Sequence, residues 1–263
     1  MKVFYTDRLS TGPLVLRSRE LERRGVNAAF TTRLGGVSEG PYRSLNMAFH
    51  VGDRPEDVHE NRRRVLDGLG IDPERVVGCE QVHGSTVVAV EERPEKGWVS
   101  GADGLVTTGP LTLVAFFADC VPVFIFDPVR GVIALVHAGW RGTAKRIVAR
   151  AVKVMEATYG SRPGDCLAVM GPSIRRCCYE VEAEVIRAMP EVESGWVAAG
   201  RGRYYLDLPA VNAAILRDSG VGDIWDCGLC TACDTSTFYS YRAEGGVTGR
   251  MAAIVTLGRS GAS

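Results

Sequence analysis

Two apolar runs, Leu111 to Phe117 and Val132 to Val136, constrain this chain more than any other feature. Short, bounded and rich in Val, Leu, Ile and Phe, they read as buried strands. Each ends at a side chain that can do chemistry. The first leads through AlaAspCys to Cys120, and the second delivers His137 at the head of HisAlaGlyTrpArgGly. Loops held by a rigid scaffold are where chemistry is usually placed. If the two strands neighbour each other, thiol and imidazole reach one point, and the rest of the chain has to supply a third partner.

Charge and composition remove several function classes. Lys plus Arg and Asp plus Glu both number 31 among the 263 residues, so the net charge is zero. Nucleic-acid binding needs clustered excess cations, which this balance does not provide. No apolar run is long enough to span a bilayer, and the MetLysValPheTyrThrAspArg start lacks the apolar core of a signal peptide. A cytoplasmic protein without membrane or nucleic-acid partners is expected. In a reducing compartment, eight cysteines are more often ligands, nucleophiles or packed thiols than disulfides. Cys79, Cys166, Cys177 and Cys178 have apolar or strand-like neighbours and read as packed thiols.

The remaining elements follow from local pattern. After a strand ending near Thr32, a long irregular stretch carries Arg33, Arg43, Ser44, Asn46 and His50. It is too apolar for disorder and too long for an ordinary turn, so it reads as a pocket wall. Pro55 and the acids behind it open a helix to about Gly70, with Val58, Val65, Leu66 and Leu69 as its buried stripe. His83 falls in a tight connection between two strands. Ala144, Ile147, Val148, Ala151, Val152 and Met155 share one face of a helix that Thr143 can cap and Gly160 can close. Turn material is expected at 193–202, a helix after Asp207, and two last strands at 238–242 and 250–257. No linker, repeat or composition break divides the chain, so residues 1–263 read as a single domain.

His83, Cys120 and His137 form a His₂Cys set suited to zinc, and three protein ligands leave a fourth position open, as in catalytic sites. A water there would have its pKa lowered to about 7. The same residues allow a thiol hydrolase, with Cys120 as nucleophile, His137 as base, and Asp119 or Asn46 orienting the pair. Cys227, Cys230 and Cys233 have the i, i+3, i+6 spacing of an iron–sulfur run, but only three thiols are grouped there. Arg175, Arg176, Arg242 and Arg250 are scattered among acids, and no P-loop or dinucleotide fingerprint is present.

The ordered motifs carry a resemblance over nearly the whole chain. They include PheThrThrArgLeuGlyGlyValSerGluGlyProTyr, HisValGlyAsp, GlnValHisGly, AlaAspGly, AlaAspCysValPro, HisAlaGlyTrpArgGly, GlyProSerIle with CysCysTyrGlu, PheTyrSerTyrArg and ThrGlyArgMet. The chain resembles the YfiH/YlmD laccase-domain family, formerly labelled multicopper polyphenol oxidases and regarded as zinc-dependent purine nucleoside phosphorylases. The resemblance implies zinc ligands and catalytic groups at His83, Cys120 and His137. It implies phosphorolysis of adenosine, inosine, guanosine and S-methyl-5'-thioadenosine, with adenosine deaminase activity. It also implies an α+β, four-layer α/β/β/α sandwich with two facing mixed sheets. Purine nucleosides and phosphate are then the partners, with no obligate protein partner inferred, and Arg33, Arg43, Ser44, Asn46 and His50 are the candidate substrate contacts. Copper chemistry fits poorly, because four histidines cannot furnish several copper ions. CysGlyLeuCys and MetAlaPheHis depart from the family pattern without touching a proposed ligand.

Overall fold

The strands collect into two facing mixed sheets, seen in a computed structural model that describes residues 4–190, 192 and 195–258. Edge to edge, the first sheet holds Phe4–Arg8, Leu14–Ser18, Val26–Thr31, Met251–Leu257, Thr112–Phe117, Val76–Cys79 and Trp98–Val99. The second holds Asp223–Asp226, Leu167–Met170, Val121–Asp127, Val132–Ala138, Gly104–Thr107 and Val87–Ala89. Each sheet combines antiparallel pairs with parallel ones, such as Val76–Cys79 beside Thr112–Phe117 and Leu167–Met170 beside Asp223–Asp226.

Every residue of Thr112–Phe117, Val121–Asp127 and Val132–Ala138 is buried, as continuous apolar strands require. One face of each sheet supplies the central layer, where Phe30, Leu113 and Phe117 meet Phe124, Leu135 and Val169. The opposite faces are covered by helices. Pro55–Leu69 brings Val65 onto Val114, Phe116 and Ile254 of the first sheet. Ile147–Tyr159 and Leu208–Asp218 cover Val106, Val123, Ile125 and Val136 of the second. The order is helix, sheet, sheet, helix. None of the helices among the described residues is long and apolar enough to cross a membrane.

Three local expectations need correction. The run 238–242 is irregular, ending in a turn, and is not a strand: Phe238 and Tyr239 are buried as core anchors, and their apolar side chains imitate strand pattern. Residues 196–206 form the hairpin Trp196–Gly200 and Arg203–Leu206, which pairs with Glu180–Glu182 in a third, three-stranded sheet. The strand Trp196–Gly200 is almost wholly exposed, so no hydrophobic alternation marks it; Glu193 and Ser194 lie outside the described residues. Thr143 does not cap the long helix. It sits within a short helix, Trp140–Ala144, and Arg146 at φ 57° breaks the backbone before Ile147–Tyr159 begins.

Candidate active site and metal centre

The chain crosses between the sheets twice near one point, and those crossings make the site. Thr112–Phe117 belongs to the first sheet and Val121–Asp127 to the second, so Ala118, Asp119 and Cys120 bridge them, with Asp119 at φ 88°. The expected neighbouring of the runs around 111–117 and 132–136 is therefore replaced by a hairpin. Val132–Ala138 pairs with Val121–Asp127 in a register that sets His137 opposite Pro122, two residues from Cys120. His83 lies on the second crossing, between Val76–Cys79 and Val87–Ala89, and both Gln81 and His83 adopt φ 57°. The Gln81 side chain pins that crossing like a short strand. Its amide donates to the Phe116 carbonyl and accepts from the Phe116 N–H, both at 2.7 Å.

One donor atom from each of His83, Cys120 and His137 lies within 4.8 Å of the other two. The two imidazoles stand edge to face with centroids 4.9 Å apart. His137 Nδ1 meets Asp103 Oδ1 at 2.9 Å, which leaves Nε2 to face the thiol and His83. Asp103 also accepts the amides of His83 at 2.9 Å and Gly84 at 2.7 Å, so one buried carboxylate orients two of the three donors. Gly139 keeps the centre open: a Cβ there would stand 3.0 Å from the Cys120 sulfur and 3.4 Å from the His83 ring.

The electrostatics suit a metal ligand. Burial pushes the Cys120 thiol up, but the His137 and His83 rings outweigh it and bring the thiol down to about 6. Burial lowers the His137 imidazole, yet the Cys120 thiolate and Asp103 raise it to about 9. Cys79, by contrast, is pushed up to about 12 by burial and is an inert packed thiol. A depressed thiol is thiolate above its pKa and is lost as pH falls through it. In chelator-treated protein, Cys120 alkylation, followed by peptide mass mapping, is expected to reach half its plateau rate near pH 6. A midpoint at the ordinary thiol value of about 8.5 would refute the assigned pairing.

The centre opens into a cavity of about 670 Å³, within the range of small-molecule sites. Phe116, Trp140, Tyr179 and Tyr241 give it aromatic walls, while Arg141, Arg242 and Arg250 bring positive charge. None of these three arginines has a carboxylate within ion-pair distance among the described residues. Arg141 lies 4.3 Å above the Trp140 ring, and Arg242 5.0 Å above Tyr179.

The five loop residues divide. His50 lines this cavity, and burial followed by the charges of Arg250 and Arg62 lowers its pKa, favouring the neutral ring. Asn46 is fully buried and accepts the Arg250 backbone N–H at 2.9 Å, so it reaches the cavity only through Arg250. Arg33, Arg43 and Ser44 line a different cavity. The Arg33 guanidinium is held by Glu244 at 3.0 Å, and the Ser44 hydroxyl accepts the Gly35 and Gly36 amides. Asp119, a candidate orienter of the Cys120–His137 pair, instead accepts from Thr231 and from the Arg242 amide. Asp103 holds that place. Its sequence trace was the AlaAspGly at 102–104, an acid between small residues at the start of a strand.

The cysteine readings also change. Cys79 and Cys166 are buried, but Cys177 is exposed and Cys178 half-buried, so those two are not packed thiols. They meet Cys230 and Cys233, while Cys227 stays apart from that group. Among the described residues the remaining histidines join no metal-ligand group: His50 lines the cavity wall, and His59 packs at a tilt against Phe49 with centroids 4.7 Å apart.

An α+β double-sheet sandwich of this kind defines a recognised class. The family described as multi-copper polyphenol oxidoreductase laccase matches residues 27–258, and the chain belongs to it. Among its relatives is purine nucleoside phosphorylase YlmD of Geobacillus stearothermophilus, 39% identical over 246 residues, covering 88% of this chain and 90% of that protein. A purine nucleoside phosphorylase of Deinococcus radiodurans is 43% identical over 236 residues, covering 89% and 90%. The crystal structure of YlmD from Geobacillus stearothermophilus superposes with a TM-score of 0.92 at 37% identity, over 98% of this chain and 99% of that one.

Proposed function

We propose that this protein is a zinc-dependent purine nucleoside phosphorylase. It acts on adenosine, inosine, guanosine and S-methyl-5'-thioadenosine and carries adenosine deaminase activity. One observation carries the reading: the His83, Cys120 and His137 donors converge at a cavity that also offers aromatic walls and three arginines without carboxylate partners. The names of the relatives point the same way. Two nitrogens and one thiolate suit a zinc with one position open, and the histidine count leaves nothing to build a multinuclear copper centre. Zinc held there would supply Lewis-acid chemistry at its open position.

The chain's own groups then have distinct tasks. Asp103 fixes the His137 tautomer and the crossing that carries His83. Phe116, Tyr179 and Tyr241 offer faces on which a purine can stack. Arg141, Arg242 and Arg250 supply the guanidinium donors that hold phosphate, a role suited to fork-shaped cations that lack an internal acid. His50 remains a substrate contact and Asn46 a positioning group behind Arg250. Arg33, Arg43 and Ser44 receive no contact to the nucleoside, because their cavity is another one and Arg33 already faces Glu244. Residues 1–263 act as one domain in this proposal, since one apolar layer joins both sheets. It also places the protein in the cytoplasm, where eight thiols remain reduced.

The test is metal content measured on protein purified without added metal, together with phosphate-dependent release of hypoxanthine from inosine. Turnover is expected to require phosphate and to disappear in Cys120→Ala along with the metal of this centre. Arg250→Ala is expected to raise the KM for phosphate about tenfold or more, as loss of a charged hydrogen bond does, and Arg43→Ala to leave it unchanged. Metal-free protein that releases no purine and whose Cys120 is rapidly alkylated would instead establish the thiol-hydrolase reading.

A further inference from the structure

A second group of soft ligands lies outside the cavity's centre. Cys177 and Cys178 follow the strand Leu167–Met170, and Cys230 and Cys233 follow the strand Asp223–Asp226. Those strands are parallel partners in register, Met170 opposite Asp226, so both chains leave the sheet at the same end. They stay together beyond it. Ser173 bridges to Cys230, donating its amide to the Leu229 carbonyl at 3.3 Å and accepting the Thr231 amide at 3.1 Å. The fold thereby joins two cysteine pairs that are some 55 positions apart in sequence.

All four sulfurs lie within 4.8 Å of one another, with Cys233 3.4 Å from both Cys177 and Cys178. A disulfide needs about 2.05 Å, well short of the 3.4 Å that separates Cys233 from either neighbour. Four thiolates around one zinc at about 2.3 Å set tetrahedral edges of about 3.8 Å, which these spacings approximate. An iron–sulfur cluster shares its cysteines among several irons and spreads them farther apart. The group is also ill-suited to simple packing, because Cys177 and Cys233 are exposed where unligated cysteines usually hide. We infer that Cys177, Cys178, Cys230 and Cys233 form a second, structural zinc site, distinct from the His83, Cys120 and His137 centre.

The position gives the site a task. Cys178 precedes Tyr179, a wall of the catalytic cavity, and Thr231, between the two later cysteines, donates its hydroxyl to Asp119 at 2.7 Å, next to Cys120. The two loops thus hold Tyr179 and brace Asp119 beside the cavity, and four bonds to one ion would cross-link them. Such a site requires no purine chemistry and is expected whether or not the proposed activity holds.

The experiment is metal analysis of the full-length chain purified without added metal. About two zinc ions per chain are expected in the wild type, and about one in either Cys120→Ala or Cys230→Ser/Cys233→Ser. The double variant is expected to unfold at a lower temperature while its remaining zinc still depends on Cys120. Should that variant fail to fold, the wild type decides: cobalt-substituted protein is expected to show the strong sulfur-to-metal absorption of a tetrathiolate site, and chelation to expose four further reactive thiols. Cys120→Ala protein that carries no metal, with Cys177, Cys178, Cys230 and Cys233 all freely alkylated, would overturn the inference. So would iron in place of zinc, or a disulfide among these residues in the purified protein.

Discussion

Asp103→Asn is expected to weaken metal binding at the His83, Cys120 and His137 centre by roughly 10–100-fold, the usual cost of losing a partner behind a metal-bound histidine. Both carboxylate oxygens are committed. Oδ1 takes the His137 imidazole and the His83 amide, and Oδ2 takes the Gly84 amide at 2.7 Å. Asparagine keeps one acceptor and turns an NH₂ group towards a donor, so at least one buried N–H loses its partner. With Asp103 fully buried, that loss costs about 1–3 kcal/mol of stability. Competition against a chromophoric chelator measures the affinity, and circular dichroism checks that the sandwich persists. Affinity equal to wild type in a folded variant would remove Asp103 from the site.

The largest stability effect is expected at Phe117, the last residue before the chain leaves the first sheet. Its ring is buried between the sheets, with centroids 6.0 Å from Phe30 and 5.4 Å from His137. Phe117→Ala removes a large side chain from a layer whose strands are tied into ladders on both sides and cannot collapse into the void. The cost is about 3–5 kcal/mol. For a chain of this size that corresponds to a fall in Tm of roughly 6–20 °C. Phe117→Leu is expected to cost much less, because most of the volume is kept. Thermal unfolding of both variants checks this; equal, small shifts would mean that the layer under His137 is not close-packed.

Much of the scaffold was legible in local pattern. Continuous apolar runs identify Thr112–Phe117 and Val132–Ala138 because strands covered on both faces need no polar alternation. The helix Pro55–Leu69 announces itself through proline at its start, acids in its first turn and Gly70 in a left-handed conformation after its end. The exposed strand Trp196–Gly200 and the buried irregular run around Phe238 escape the same logic. Hydrophobic periodicity reports which side of an element is covered; where an element is bare, or a loop is core, it reports wrongly.

The site divides along the same line. By itself the sequence determined the donor types and their settings: Cys120 and His137 at strand ends, His83 in a tight connection, and motifs that together mark one family. Only the tertiary structure decided which groups meet. The hairpin register sets His137 beside Cys120, one crossing between sheets brings in His83, and Asp103 reaches both histidines from just before the strand Gly104–Thr107. Arg141, Arg242 and Arg250, distant in the chain, face one cavity, and two cysteine pairs some 55 positions apart close into a single cluster. Those meetings depend on strand pairing between remote segments, whose geometry is set by the packing of the whole core and leaves no periodic trace in any one of them.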